Sequence, residues 1–378
     1  MTAIARANLM HTLRRALARP VVPPPIGVDF AAERLNMLQM QPARAGERYH
    51  DVRAAVSLAY PVARAELLAD PTRLRRFVRM ALAAAPFSGR RVYAALAPSD
   101  VRILPMTVQL SPGQVEAQAV ARAARDQLGM AAADAVVDYY QIRSADSDQS
   151  ERQVLVAVAQ QQQVVEYLDR LRGAGMDPVA LDIGPAAIAR LMITMQREDL
   201  NQAILLINFG VSKSFLTVIW GRRLMLDREI DFGAQQLTDK LGATLGLSPA
   251  VALDLIRAYG FGAGLAERVL AEPTGQPDVA STIREILHPE FAVLSEELAR
   301  TQVYIASRTR GSTLSRVYLN GSLARYPNIQ HRIGELVPIP VSILNPLDGF
   351  ASAPVLGAEV QQGIALAAGL ALRGEPRG

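Results

Sequence analysis

Two stretches decide the fold: Ile26-Gly27-Val28-Asp29-Phe30-Ala31-Ala32-Glu33-Arg34-Leu35 and Leu206-Ile207-Asn208-Phe209-Gly210-Val211-Ser212-Lys213-Ser214-Phe215. Each runs from an apolar strand to an Asp or Asn, then one apolar and one small residue, a polar turn and a returning strand. A small residue between two strands lets the backbone turn tightly and bring N–H groups close to an anion. One device used in both halves of the chain predicts two related lobes closing on one nucleotide. Both copies also depart from the ideal, at Ala31 and Asn208.

Composition narrows the chemistry. With 378 residues the chain suits two domains, or a domain with an insert, and half of its residues are apolar. There is no cysteine, so disulfides, thiolate metal sites and a thiol nucleophile are excluded. The four histidines (His11, His50, His288, His331) are scattered without metal-ligand spacing. The net charge of +4 is concentrated at the start, where Arg6, Arg14, Arg15 and Arg19 have no acidic neighbour within the first nineteen residues. The remainder is near neutral, which argues against a nucleic-acid groove. No apolar run approaches the ~20 residues that span a bilayer, and the N-terminus lacks the apolar core of a signal peptide. The body is expected to be cytoplasmic.

Residues 1–19 read as a basic amphipathic helix with a stripe of Leu9, Met10, Leu13 and Leu17, ended by Pro20 and a Pro23-Pro24-Pro25 linker. An anchor on anionic lipid, a frayed leader and a helix docked on a partner are all open readings of it. Strands are expected over 26–31, 34–40 and 52–59, with a turn from Pro42 to Glu47. Asp70-Pro71-Thr72 opens a helix that stops before Pro86. A separate unit follows: strands over 92–97 and 101–108, a helix capped by Ser111-Pro112 and running to Leu128, strands over 136–143 and 153–159 around a polar turn at 144–149, and a helix over 160–171. A strand over 178–183 and a helix over 185–194 return to the first lobe. The second lobe opens with strands over 203–208, 214–220 and 223–230. Helices over 232–245 and 249–259, a break over 260–278 and a long helix over 280–308, interrupted near His288-Pro289, come next. A strand at 317–322, a helix over 326–336, a strand over 341–344 and an Ala-rich helix over 360–372 complete an α/β arrangement.

These parts in this order resemble the actin/Hsp70/FtsA nucleotide-binding fold, a ribonuclease H-like two-lobe architecture. Further segments are similar to the PilM/MshI-like family of pilus proteins. They are Arg228-Glu229-Ile230-Asp231-Phe232-Gly233-Ala234-Gln235-Gln236-Leu237-Thr238, the helix segment Glu296-Glu297-Leu298-Ala299-Arg300, the ending Ala368-Gly369-Leu370-Ala371-Leu372-Arg373, and Leu171-Arg172-Gly173-Ala174-Gly175-Met176-Asp177-Pro178-Val179. The resemblance covers Ile26 to Arg373. It implies an N-terminal extension and linker (1–25), a first lobe (26–91 with 173–200), an inserted SHS2-type 1C subdomain (92–172) and a second lobe (201–373).

The resemblance also implies a nucleotide cleft, with ATP and Mg²⁺ as cofactors. Its binding positions here are Asp29, Ala31, Asn208, Gly210, Ser212, Lys213, Gly233, Gln235, Glu297, Arg300, Gly321 and Ser322, with Asp29 as the metal carboxylate. Carboxylates suit the hard, hydrated Mg²⁺ ion. Asn208 brings an amide where the family has a second Asp, and so no charge. At Ala31 a positive φ would cost on the order of 1 kcal/mol. Leu323 stands in the adenosine turn where the family prefers glycine, and Gly233-Ala234 keeps one glycine of two. Lys213, one of two lysines in the chain, is either a solvated turn residue or a phosphate contact. Asp182 is either a catalytic carboxylate or the cap of the helix that follows.

The expected function is therefore a non-enzymatic scaffold of a type IV or MSHA-like pilus machine, with a degenerate nucleotide cleft and little or no ATP hydrolysis. By resemblance it binds the cytoplasmic N-terminal peptide of a PilN-like bitopic inner-membrane protein, between the first lobe and the inserted unit. Other pilus components and self-association are further expected contacts. An FtsA-like membrane-tethered polymer and an actin-fold small-molecule kinase are the alternatives; the kinase needs intact Mg²⁺ ligands that Asn208 denies it.

Overall fold

The computed structural model describes residues 22–41, 51–129, 134–142, 151–195, 202–262, 279–309, 311–348, 350, 356–357, 361 and 363–374. The helix expected over 1–19, the turns expected at 42–47 and 144–149, and most of the break at 260–278 lie outside them.

Strands β1 (Ile26–Phe30), β2 (Arg34–Met40) and β3 (Val52–Ala59) form an antiparallel meander, and helices α1 (Arg64–Ala69) and α2 (Pro71–Ala83) lead to β4 (Arg91–Ala95). A small unit follows: β5 (Val101–Gln109), α3 (Glu116–Leu128), β6 (Ala135–Gln141), β7 (Glu151–Gln160) and α4 (Gln161–Gly173). The chain returns through β8 (Asp177–Asp182) and α5 (Gly184–Met195). The second half takes β9 (Ala203–Phe209), β10 (Ser214–Trp220), β11 (Arg223–Ile230), α6 (Ala234–Leu245), α7 (Pro249–Tyr259) and α8 (Val279–Arg308). It ends with β12 (Leu314–Gly321), α9 (Ile329–Gly334), β13 (Val341–Ile343) and α10 (Ala365–Ala371).

The strand orders are β3-β2-β1-β4-β8 and β11-β10-β9-β12-β13. In both sheets the first three strands pair antiparallel and the last two join in parallel. The two sheets are therefore copies of one pattern, with β1 and β9 as equivalent central strands. Each central strand delivers a polar side chain at its C-terminal end, Asp29 in one and Asn208 in the other. The small unit is a separate three-stranded sheet, β5-β7-β6, with a core of its own made by Val108, Val120, Val154, Val156 and Val158.

Local chemistry explains most boundaries. Asp70 caps α2 by accepting from the Thr72 and Arg73 amides, and Pro71 occupies the first turn. The β10–β11 hairpin turns through Gly221 and Arg222, both at positive φ, as a two-residue type I′ connection requires. Ser111-Pro112 does not cap α3, which begins at Glu116; Gly113 takes a positive φ in between and stops the helix from extending back. Pro289 does not interrupt α8. A proline inside a helix costs about 3 kcal/mol. Here Leu287 and Phe291 flank it in the core, and Phe291 packs edge-on against both Phe232 and Phe261. The helix expected over 326–336 shortens to α9, after a 3-10 turn at Leu323–Arg325 and Asn328 at positive φ.

Two apolar helices join the halves. Helix α5 buries Ala186, Ala187, Ile188, Leu191 and Met192 and reaches β10 and β11. Helix α10 leaves the second sheet and packs on β1, β2 and β4 and against α5. Both are apolar nearly all round, as buried helices are. A continuous apolar core draws Leu38 and Met40 from one sheet, Ile204, Leu206 and Ile219 from the other, and α5 and α10 between them. Among the described residues no single helix is long and apolar enough to cross a membrane.

Candidate functional site: two equivalent strand ends

At the first strand end, Asp29 is paired in register with Asn36 across the β1–β2 hairpin. Asn36 Nδ2 donates to Asp29 Oδ2 at 3.0 Å, while Asn36 Oδ1 accepts from Ser57 Oγ at 2.7 Å. Arg34 Nε donates in turn to Ser57 Oγ at 2.8 Å. The carbonyls that follow are also held: Arg64 Nε donates to Phe30 O and Tyr60 OH to Ala31 O, each at 2.9 Å. Burial raises the Asp29 carboxyl to about 6, against the lowering effect of the Asn36 hydrogen bond and the Arg64 charge. Tyr167, which α4 buries in the first-lobe core, lies close enough to be affected: burial and then the Asp29 charge push its phenol above the usual range. Ala31 is not at positive φ, so its methyl group carries no backbone strain.

At the second strand end, Asn208 Oδ1 accepts from Asn320 Nδ2 at 3.0 Å, across the parallel β9–β12 pair. Asn320 is buried, and its own Oδ1 has no hydrogen-bond partner among the described residues. Around this pair three of the expected segments converge. Ala234 N donates to Gly210 O and Gln235 N to Val211 O, so the first amides of α6 are occupied by the turn itself. Ser322 donates from its amide to Phe209 O at 2.8 Å and from its hydroxyl to Gly210 O at 2.9 Å. Gly321 sits at φ +90°, and a Cβ there would fall 2.1 Å from Phe209 O; only glycine allows this turn to lie on the end of β9. Gly233 likewise packs directly on Val211 and Ser212, and Gly210 on Lys213. Leu323 turns away into the second-lobe core and is fully buried.

The charged candidates are paired within the protein. Lys213 Nζ binds Glu229 and lies 3.7 Å from Asp231, and the Glu229 contact raises its pKa. Glu297 pairs with Arg228 and with Arg300, each at 2.7 Å, tying α8 to β11. Asp182 accepts from the Ile183 amide at 2.8 Å and binds both Arg190 and Arg373, the latter at 2.7 Å. With both oxygens engaged and 6% exposure, Asp182 is a structural junction rather than a free catalytic carboxylate. Arg190 also reaches Tyr140 OH on β6 at 3.3 Å and Gly369 O at 3.2 Å, so one cluster joins the inserted unit, β8, α5 and the C-terminal segment.

The structure thus brings together Asn208, Gly210, Ser212, Lys213, Gly233, Gln235, Gly321 and Ser322. It places Asp29 and Ala31 at the equivalent end of the other sheet, and Glu297 and Arg300 in an ion-pair network on α8. Asn36, Ser57, Tyr60, Arg64 and Tyr167 were not foreseen. Hairpin register alone could have found Asn36. The donor set does not fit a family-type Mg²⁺ site. It offers one buried carboxylate and one uncharged amide already bonded to another, and among the described residues no cluster of three His, Cys, Asp or Glu could hold a metal. The orphan Asn320 oxygen asks for a donor such as a hydroxyl or water, which a phosphate oxygen is not.

A family model described as type IV pilus assembly protein PilM matches residues 27–375. The chain belongs to that family. Among solved structures, the chain is similar to one described as a PilM-PilN type IV pilus biogenesis complex, with a TM-score of 0.71 and 22% identity, over 94% of this chain and 100% of that one. At this identity the likeness shows the fold, which is actin-like. More distant similarities are ethanolamine utilization protein EutJ from Carboxydothermus hydrogenoformans (TM-score 0.47, 15% identity, 97% of each chain) and MreB 5 of Spiroplasma citri bound to AMPPNP (0.46, 11%, 94% of this chain and 97% of that one).

Proposed function

We propose that this chain is an actin-like scaffold of a type IV or MSHA-like pilus assembly machine. It works in the cytoplasm at the inner face of the inner membrane and binds the cytoplasmic N-terminal peptide of a PilN-like bitopic protein. The observation that carries this reading is the PilM family match over residues 27–375. A feature of the inserted unit supports the mode of binding. Strand β5 stands at the edge of its sheet, pairing with β7 alone among the described strands. It carries Leu104, half-buried and outside the apolar cores of the described residues. An extended peptide can add to such an edge through main-chain hydrogen bonds and take specificity from alternate side chains. Pull-down of the purified chain with the N-terminal peptide of the neighbouring bitopic protein tests this. Binding is expected to fall in Leu104→Glu and to vanish on removal of residues 92–172; unchanged binding in both sinks the assignment.

On the same reading the nucleotide cleft is a weak ATP site with little or no hydrolysis, and the chain is not an enzyme. With Asn208 in an amide–amide pair and Lys213 in an ion pair, Asp29 is the one charged candidate left to hold a metal-bound triphosphate. Titration calorimetry with Mg·ATP and a phosphate-release assay test this; micromolar affinity or sustained turnover would overturn it.

A further inference from the structure

Helix α2 reads Pro71-Thr72-Arg73-Leu74-Arg75-Arg76-Phe77-Val78-Arg79-Met80-Ala81-Leu82-Ala83, with four arginines and no acid. Its buried stripe is Leu74, Phe77, Val78 and Ala81. Thr72, Arg75, Arg76 and Arg79 share the opposite face by their spacing of three and four, and all four are exposed. That face does not stand free. It lines a groove of about 580 Å³ with Gly173, at the last turn of α4, whose Tyr167 and Leu171 pack into the same first-lobe core as Leu74, Phe77 and Val78. Arg75 Nε crosses the groove floor and donates to Gly173 O at 2.8 Å.

The charge in this groove is only partly offset, by Asp70, which feels the charge of Arg76. Nearby Glu66 and Asp70 both bind Arg73. Among the described residues no carboxylate forms an ion pair with Arg75, Arg76 or Arg79. Asp70 caps the helix, so the amides of Thr72 and Arg73 are taken and a negative charge stands at the helix N-terminus. This disfavours a phosphate at that end. The guanidinium groups one and two turns further along remain exposed. Guanidinium groups pair with carboxylates in two-point contacts.

We propose that this groove docks an acidic segment of a partner protein, whose Asp or Glu side chains bind Arg76 and Arg79 and which, seated, spans α2 and the end of α4 on the first lobe. The site is separate from the β5 edge and does not rest on the PilN-like reading. The full chain is titrated with a fluorescent Glu-rich peptide, with inorganic phosphate and with vesicles containing anionic lipid, and compared with R76E/R79E and with R122E, a charge reversal on exposed α3. Peptide affinity is expected to fall about tenfold or more in R76E/R79E and to hold in R122E. Amide exchange should slow with peptide both in 71–79 and in 170–175. Equal loss in R122E, stronger capture of vesicles or phosphate than of peptide at the groove, or protection of only one of the two segments overturns the proposal. R76E/R79E is expected to retain the PilN-like peptide and L104E the acidic one, so the two readings fail separately.

Discussion

Gly369→Ala is the sharpest test of how the two lobes are joined. Gly369 lies in α10, where helix propensity alone favours alanine by about 1 kcal/mol. A solvent-exposed helix would therefore be stabilised. Packing predicts the opposite sign. A Cβ at 369 would stand 2.0 Å from Ala187 O and 2.5 Å from Ala187 C, where ordinary contact begins at 3.4 Å. The atoms struck are backbone of α5, which cannot step aside by changing rotamer, so α10 or α5 must move bodily. Overpacking a filled core costs about 1–3 kcal/mol, and a backbone collision belongs at the upper end. The net expectation is a loss of about 1–2 kcal/mol after the propensity gain. Gly27→Ala strikes the same helix from the sheet side, 2.0 Å from Ala367 O, so the two variants should couple rather than add. Urea unfolding followed by far-UV circular dichroism measures the effect, with Gly334→Ala as control; its Cβ meets nothing within 4 Å. A Gly369→Ala protein as stable as the parent, beside a neutral or stabilised Gly334→Ala, would refute the close-packed junction.

Three further outcomes follow from the site. Burial raises the Asp29 carboxyl from the ordinary 3.8 to about 6, so its contribution to stability is full below the lower value and is lost as pH rises through about 6; Asp29→Asn should gain on the parent by on the order of 2 kcal/mol above pH 7 and little at pH 4, and a gain independent of pH would contradict this. Asp182→Ala leaves Arg190 and Arg373 without their shared carboxylate and should cost about 3–5 kcal/mol; denaturant melts showing under about 1 kcal/mol would mean that the junction is dispensable. Asn208→Asp restores a second carboxylate while Asn320 can still donate to it, and should tighten Mg·ATP binding by on the order of tenfold in calorimetry; unchanged affinity would show that the missing charge is not the limiting defect.

What the sequence made legible follows from which forces are local. The hairpins over 34–40, 214–220 and 223–230 agree with the expected ranges because alternation and turn residues specify them from within. The α2 cap at Asp70-Pro71 is legible for the same reason. Pro289 misleads because the phenylalanine cluster that holds α8 straight is assembled from distant segments. The loop glycines and the Asp29/Asn208 equivalence are readable because one pattern is used twice. The partners of Asp182 are not: Arg373 lies at the far end of the chain, and no spacing rule links it to β8. Lys213 could be read either as a turn residue or as a phosphate contact, and its ion pairs with Glu229 and Asp231 across the β10–β11 hairpin favour the first.

A two-lobe ATPase changes shape because its ligand binds one arrangement of the lobes better than another, and a ligand can shift that equilibrium only by its differential affinity. Here four of the polar side chains are answered within their own half: Asp29 by Asn36, Asn208 by Asn320, Lys213 by Glu229, Glu297 by Arg228. What joins the halves is protein. The apolar core around α5 and α10 and the Asp182–Arg190–Arg373 cluster need no nucleotide to complete them. On the proposed reading, a nucleotide bound between these strand ends would have few unanswered groups with which to favour one lobe arrangement. The inserted unit is tied to the same junction through Tyr140 and Arg190. Its orientation toward the first lobe is thus set by the contacts that hold the lobes together, so loosening the junction at Asp182 should weaken partner binding at the inserted unit even with the β5 edge and the arginine groove intact.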